Sequence, residues 1–396
     1  MEWKEVRLGD VCETIQTGPF GSQLHQSDYV EHGVPCIMPK NIGQHLDINC
    51  SDIAKVKQED VSRLSRHKVE CGNIIYSRRG DIEKCAYINK DQEGWLCGTG
   101  CLKVCINKNI ADSKYIAYYL SLSESKSWLV GNAVGTTMLN LNTSILAELP
   151  INIPSLSDQH RIASILSSLD RKIELNNKIN AQLEEMAQAL FKSWFVDFEP
   201  FKDGKFVESE LRMIPEGWRV GTLFDIADIF DKKRKPLSGN ERDKMKKIYP
   251  YYGATSCMDY VEDYIFDGIY TLIGEDGSVV KEDGLPYMQY VWGKIWVNNH
   301  AHILQGKNGF STEMIHTLLS RTPIKHLVTG AVQTKLSQGN MQNIFVVIPT
   351  VDVLDRIRPI IDSLYKQIRT NTDENSHLSQ LRDTLLPKLM NGEIEL

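Results

Sequence analysis

Apolar residues recur in steps of four and three along SLSDQHRIASILSSLDRKIELNNKINAQLEEMAQAL, residues 155–190. The series reads Ile162, Leu166, Leu169, Ile173, Asn176, Asn180, Leu183, Ala187, Leu190. This is an a/d heptad seam, the pattern of one long helix made to pack on another. Two asparagines stand in its middle. Moved on by 195 residues, the series reads Ile357, Ile361, Leu364, Ile368, Asn371, Asn375, Leu378, Arg382, Leu385, both asparagines included. The chain therefore predicts two long helices of one design. Each is about 54 Å long at about 1.5 Å per residue, and neither can bury its seam alone. Related by a pseudo-two-fold, they pack antiparallel, with Asn176, Asn180, Asn371 and Asn375 as register marks. Ser157 and Asp352 are the expected N-caps.

Outside the helices the period shortens. Residues 1–153 carry β-like runs at 34–39, 73–77, 85–89, 101–106 and 148–154, with helical stretches at 59–66 and 112–129. Residues 154–198 hold the central helix, and Pro200 with Asp203-Gly204 marks a linker over 199–214. Residues 215–348 begin again as the first block does: Trp3, Leu8 and Asp10-Val11 are spaced as Trp218, Leu223 and Asp225-Ile226. Its β-like runs lie at 269–274, 294–299 and 343–349, and residues 349–396 form the C-terminal helix. Both blocks close on similar loops, GNAVGTTMLNLN (131–142) and TGAVQTKLSQGN (329–340). The fold class is mixed α/β (α+β): two globular domains joined by two long antiparallel coiled-coil helices, an internal duplication.

Composition narrows the class. No apolar run nears the roughly 20 residues a bilayer span needs, and the charged N-terminus does not read as a signal peptide. A cytoplasmic location is expected. Nine cysteines without a paired framework read as reduced thiols. Cys97, Cys101 and Cys105 lack a CxxC pair and are expected buried on one strand face rather than holding a metal. A net charge of -6 argues against a wholly basic nucleic-acid binder but leaves room for local basic patches.

Two such patches stand out. Arg78 and Arg79, in SRRGD, lie at a strand end beside Gly80, where a guanidinium can fork onto guanine O6/N7 or onto phosphate. KKRK, with Lys233, Arg234 and Lys235, opens a span to Lys247 suited to neutralising phosphate. Thr136, Thr137 and Lys335 sit in the loop common to both repeats. Different residues at a shared place are what reading two different half-sites demands. A rigid pair of helices with two related heads suits a bipartite target, and half-sites on one face of B-DNA repeat about every 34–36 Å. No phosphate-binding loop, dinucleotide fingerprint or amino-methyltransferase tetrapeptide is present. Asn298 to His302 has only a superficial likeness to an HNH nuclease, and Ile273 to Gly277 reads as a tight acidic turn.

Over almost its whole length the chain resembles the DNA specificity subunits of type I restriction–modification systems. The matching stretches are TGPFGSQLHQSDYVEHGVPCIMPKNI (17–42), IIYSRRGDIEKCAYI (74–88), GTGCLKV (98–104), the first helix with LFKSWFVDFEPF, IPEGW (214–218), residues 250–280, WVNNHAHIL (296–304) and LRDTLLPKLMNGEIEL. Gln23, Lys40, Asn299 and His300 lie in these stretches and join the candidate DNA-binding set. The resemblance implies two target recognition domains, each reading half of a bipartite double-stranded site, with the helices setting the gap. It implies a non-catalytic subunit that binds two methyltransferase subunits and, through them, two restriction subunits. S-adenosylmethionine, ATP and Mg are then expected on those partners and no cofactor or metal on this chain. The alternatives are a recognition module of another DNA-modifying complex, or a two-headed scaffold that binds no DNA.

Overall fold

The computed structural model describes residues 3–135, 139–330 and 334–396. They fall into two compact units: unit 1 is 1–174 with 375–396, and unit 2 is 175–374. The division runs through both long helices, which span Leu156–Phe195 and Val351–Met390. Each unit is therefore a globular part plus the adjoining halves of both helices.

In unit 1 the strands Cys12–Thr17, Cys101–Ile106, Ile74–Ser77 and Cys85–Tyr87 form one antiparallel sheet in that spatial order. Tyr29–Val30, Ala54–Val56, Val34–Ile37 and Leu96–Cys97 form a second sheet, its last pair parallel. Lys4–Arg7 pairs with Pro150–Ile153 and ties the start of the chain to the strand before the first helix. Unit 2 repeats much of this plan. Arg219–Thr222 pairs with Phe345–Ile348. Ala227–Ile229, Ala301–Gly306, Phe266–Gly274, Met288–Val297, Tyr249–Tyr252 and Cys257–Val261 form one six-stranded sheet. The parallel contact recurs, Cys36 and Ile37 beside Leu96 and Cys97 in unit 1, Tyr251 and Tyr252 beside Trp296 and Val297 in unit 2. The long strand Met288–Val297 runs through both halves of that sheet, whereas unit 1 splits in two at the same place.

The entry turns match as well. The Asp10 carboxylate accepts from the Arg7 backbone N–H at 3.0 Å, and Asp225 from that of Thr222 at 2.7 Å. Each satisfies an amide at the start of a short helical turn that would otherwise lack a partner.

Within unit 1, Ile162 and Leu166 share a buried core with Leu389 and Met390. Within unit 2, Ala187 and Phe191 share one with Ile357 and Ile361. In each unit early residues of one helix meet late residues of the other, so the halves run antiparallel, and every seam position is buried or half-buried. Burial of branched aliphatics in such seams contributes about 1.5–3 kcal/mol per side chain.

The helix starts differ from expectation. The first helix begins at Leu156, and Ser155 caps it: its hydroxyl accepts from the Asp158 N–H at 3.2 Å and donates to the Asp158 carboxylate at 2.8 Å. Ser157 is the second residue of the helix, within its first turn. In the second helix Asp352 is in the first turn, where a carboxylate favours the positive end of the helix dipole. Cys97 and Cys101 are fully buried but on two different strands, Leu96–Cys97 and Cys101–Ile106, and Cys105 is half-buried. Burial pushes the Cys97 and Cys101 thiols well up, so both stay protonated.

Candidate nucleic-acid interface

The sheet of each unit delivers two charged residues at the end of one strand. In unit 1, Ile74–Ser77 is fully buried, and Ser77 faces Cys101 across the ladder. The chain then turns out through Arg78 and Arg79 to Gly80, whose φ of 77° favours glycine. Arg78 is half-buried and well held. Its Nε donates to the Leu141 carbonyl at 3.2 Å, and its guanidinium lies 5.8 Å from the centre of the Phe20 ring. Burial and the neighbouring Arg79 hold its pKa below the ordinary guanidinium value. Arg79 is exposed, and its backbone bridges Asn140. Gln23 is nearby in sequence to Phe20 and serves its turn: its Oε1 accepts from the Phe20 N–H at 3.1 Å. Lys40 is exposed and paired with Asp52.

In unit 2 the equivalent strand end is Gly274, facing Ala301, and Glu275, Asp276 and Gly277 (φ 83°) follow. Here the turn is acidic, and a network of cations answers it. Arg234 Nη1 lies 2.5 Å from Glu275, and Nη2 lies 3.4 Å from Asp231. Nη1 also donates to the Ala301 carbonyl at 2.8 Å. Lys335 Nζ lies 3.3 Å from both Glu275 and Asp276, which raise its pKa, Asp276 more than Glu275. His302, fully buried, places Nδ1 2.5 Å from Asp231 and Nε2 2.6 Å from the Leu336 carbonyl. Both ring nitrogens face oxygen atoms. Burial works to raise the Asp231 carboxyl, but bonds from His302, Gln338 and the Ile303 N–H hold it below the usual carboxylate range.

Asp231, Glu275 and His302 offer ligand atoms within 4.8 Å of one another. Arg234 already supplies the positive charge between the two carboxylates, and neither imidazole nitrogen is free to ligate. The cluster reads as an ion network that fixes the strand end rather than as a metal centre.

The basic run of unit 2 is thus not uniform. Arg234 points inwards, its side chain 12% exposed, and acts as a strut. Lys233 is exposed with its ammonium 5.2 Å from the centre of the Phe230 ring, and Lys235 is exposed while its carbonyl accepts from Trp296 Nε1 at 2.6 Å. Asn299 and His300 are exposed in the turn before Ala301–Gly306; the Asn299 carbonyl faces Arg234 and the His300 carbonyl accepts from the Glu275 N–H at 2.8 Å. Thr136 and Thr137 lie outside the described residues. The described partner of Lys335 in the other repeat is Asn140, as the bridges Thr329 to Lys335 and Val134 to Asn140 show.

The asparagines of the seam form a ladder in unit 2. Asn371 Nδ2 donates to Asn180 Oδ1 at 2.8 Å, Asn180 Nδ2 to Thr372 Oγ1 at 3.2 Å, and Asn176 Nδ2 to Glu374 Oε2 at 2.8 Å. Asn176 and Asn371 are buried, and Asn375 is half-buried.

Sequence reasoning missed three anchoring networks. One is the Asp231 cluster. The second joins the second long helix to the sheet of unit 2: Arg369 pairs with Glu313 at 2.6 Å, and both bond the Tyr290 hydroxyl. The third joins the helix halves of unit 1: Arg382 pairs with Asp170 at 2.9 Å and reaches His45 at 3.0 Å. One signal was visible, since Arg382 interrupts an apolar seam.

A duplicated mixed sheet, each copy followed by a long helix and each ending in a charged turn, defines a protein of two related domains. The model of the type I restriction modification DNA specificity domain matches residues 1–185 and again 215–380. The chain belongs to this family. It is 26% identical to the type I restriction enzyme MjaIX specificity subunit of Methanocaldococcus jannaschii, over all of this chain and 94% of that one. It is 24% identical to the HindI specificity subunit of Haemophilus influenzae, over 99% of this chain and 100% of that one. The crystal structure of the S subunit of a type I restriction–modification system from M. genitalium has the same fold, with a TM-score of 0.57 at 17% identity over 98% of this chain and 96% of that one. Among the described residues no helix is long and apolar enough to cross a membrane.

Proposed function

We propose that this chain is the DNA specificity subunit of a type I restriction–modification complex. Each unit reads one half of a bipartite double-stranded site, and the two long helices set the gap between the halves. The observation that carries this reading is the family match made twice, once on each repeat of a duplicated chain. The full-length likeness to two type I specificity subunits supports it. In this reading the chain is non-catalytic. It works with two methyltransferase subunits and two restriction subunits, and S-adenosylmethionine, ATP and Mg belong to those partners. This chain supplies register and recognition. Arg79, Lys233, Lys235 and Lys335 present cations for groove or phosphate contact, while Arg78 and Arg234 hold the turns that carry them.

The test is to express the chain with its methyltransferase and map methylated sites across the host DNA. Two short sequences separated by a fixed unread gap are expected. A single continuous motif, or no methylation that depends on this chain, removes the proposal.

A further inference from the structure

The two units hold one cross-strand pair at the same place with the cation on opposite members. In unit 1 the pair is Arg79 on the sheet turn and Asn140 on the facing loop. In unit 2 it is Asp276 on the sheet turn and Lys335 on the facing loop. The correspondence follows from the ladders: Ser77 faces Cys101 as Gly274 faces Ala301, and each pair stands two residues further on. The frame behind the pair is also shared. The Leu141 N–H donates to the Arg78 carbonyl, and the Leu336 N–H to that of Glu275, both at 2.9 Å. A buried or half-buried side-chain nitrogen then meets the carbonyl of each leucine, that of Arg78 in unit 1 and that of His302 in unit 2. Rigid residues therefore support a position whose outer group differs: an exposed guanidinium in one unit, and in the other an ammonium 48% exposed beside a carboxylate.

We infer that this cross-strand pair determines the preference for one base pair in each half-site. The inference rests on the DNA-reading function proposed above. Arg79 presents a fork of donors, which matches O6 and N7 of guanine. Lys335 with Asp276 presents a donor beside an acceptor, which matches guanine O6/N7 next to the N4 amino group of cytosine. Moving the cation from the turn to the loop moves the donor across the groove, so one scaffold reads two sequences. The ion network of Arg234, Glu275 and His302 holds the acidic turn of unit 2 in place.

The test uses the intact complex with its methyltransferase subunits and a duplex library randomised in both half-sites. Arg79→Gln is expected to lower discrimination about 10- to 100-fold at one base pair of the unit 1 half-site, with the other half-site unchanged. The paired exchange Asp276→Arg with Lys335→Asn should change the preferred base at one position of the unit 2 half-site alone. Unchanged preferences with Arg79→Gln overturn the inference. So does a uniform loss of affinity for all sequences, which marks a phosphate contact. Arg79 is exposed, so its variant stands even if the double exchange fails to fold. If the wild-type complex itself selects no bipartite site, the proposed function falls and this inference with it; a bipartite wild type with an unaltered variant removes the inference alone.

Discussion

Units 1 and 2 solve one packing problem with different chemistry at two matching places. In the helix seam, position 187 of unit 2 is an alanine buried among apolar neighbours, and its repeat mate in unit 1 is Arg382, 6% exposed and paired with Asp170. At the strand end the reverse holds: unit 2 carries the ion network and unit 1 an arginine stacked on Phe20. Duplication preserves the frame, meaning ladders, entry turns and seam. Charge is free to diverge wherever a local partner can answer it.

The largest effect should come from erasing the seam difference. Arg382→Ala makes unit 1 resemble unit 2 but removes the cation paired with half-buried Asp170, leaving it the Tyr118 hydroxyl and the charge of Lys114. A loss of about 3 kcal/mol is expected in denaturant unfolding, with hydrogen exchange protection falling in residues 156–174 and 375–390. An unchanged midpoint would mean that the pair is solvated and the two seams are equivalent.

A pH effect of similar size is expected within unit 2. Burial lowers the His316 pKa to about 4, and the ring packs between Tyr290 and Tyr365. Its folded pKa lies below the unfolded value near 6.5, so the unfolded state takes up the proton first. Stability contributed by the neutral ring is complete above about pH 6.5 and is lost as pH falls towards 4, by roughly 3 kcal/mol. Following unfolding of the wild type and His316→Phe from pH 7 to 4 checks this; equal slopes for the two would reject it.

The entry turns should give a smaller and equal effect. Asp10→Ala and Asp225→Ala each remove the acceptor of a turn amide, and each should cost about 1 kcal/mol. Thermal unfolding of the two variants tests whether the shared frame is energetically shared; a several-fold disparity would show that it is not.

Much of this frame was legible in the sequence because it depends on local period. The four-and-three step marks a seam whatever lies across it, and repetition after 195 residues marks the duplication. Strand runs such as CLKVCI and NIFVVIP fell in place for the same reason. Charge was less legible. KKRK reads as one basic patch, yet Arg234 turns inwards because Glu275, 41 residues away in the chain, meets it. His302 resembled part of a nuclease motif, and its partners Asp231 and Leu336 are 71 and 34 residues distant. Long-range pairs leave no period. The opposed charges at 78–79 and 275–276 were available to direct comparison of the two repeats, though only the ladders fix which residue matches which.

The central claim is that the helices measure and the two units read. Inserting four residues at matching places in both long helices, away from the seam asparagines, lengthens the paired helices without touching either sheet. Methylation mapping with the intact complex should then return both original half-sites separated by a longer gap. The original gap with altered half-sites would contradict the account.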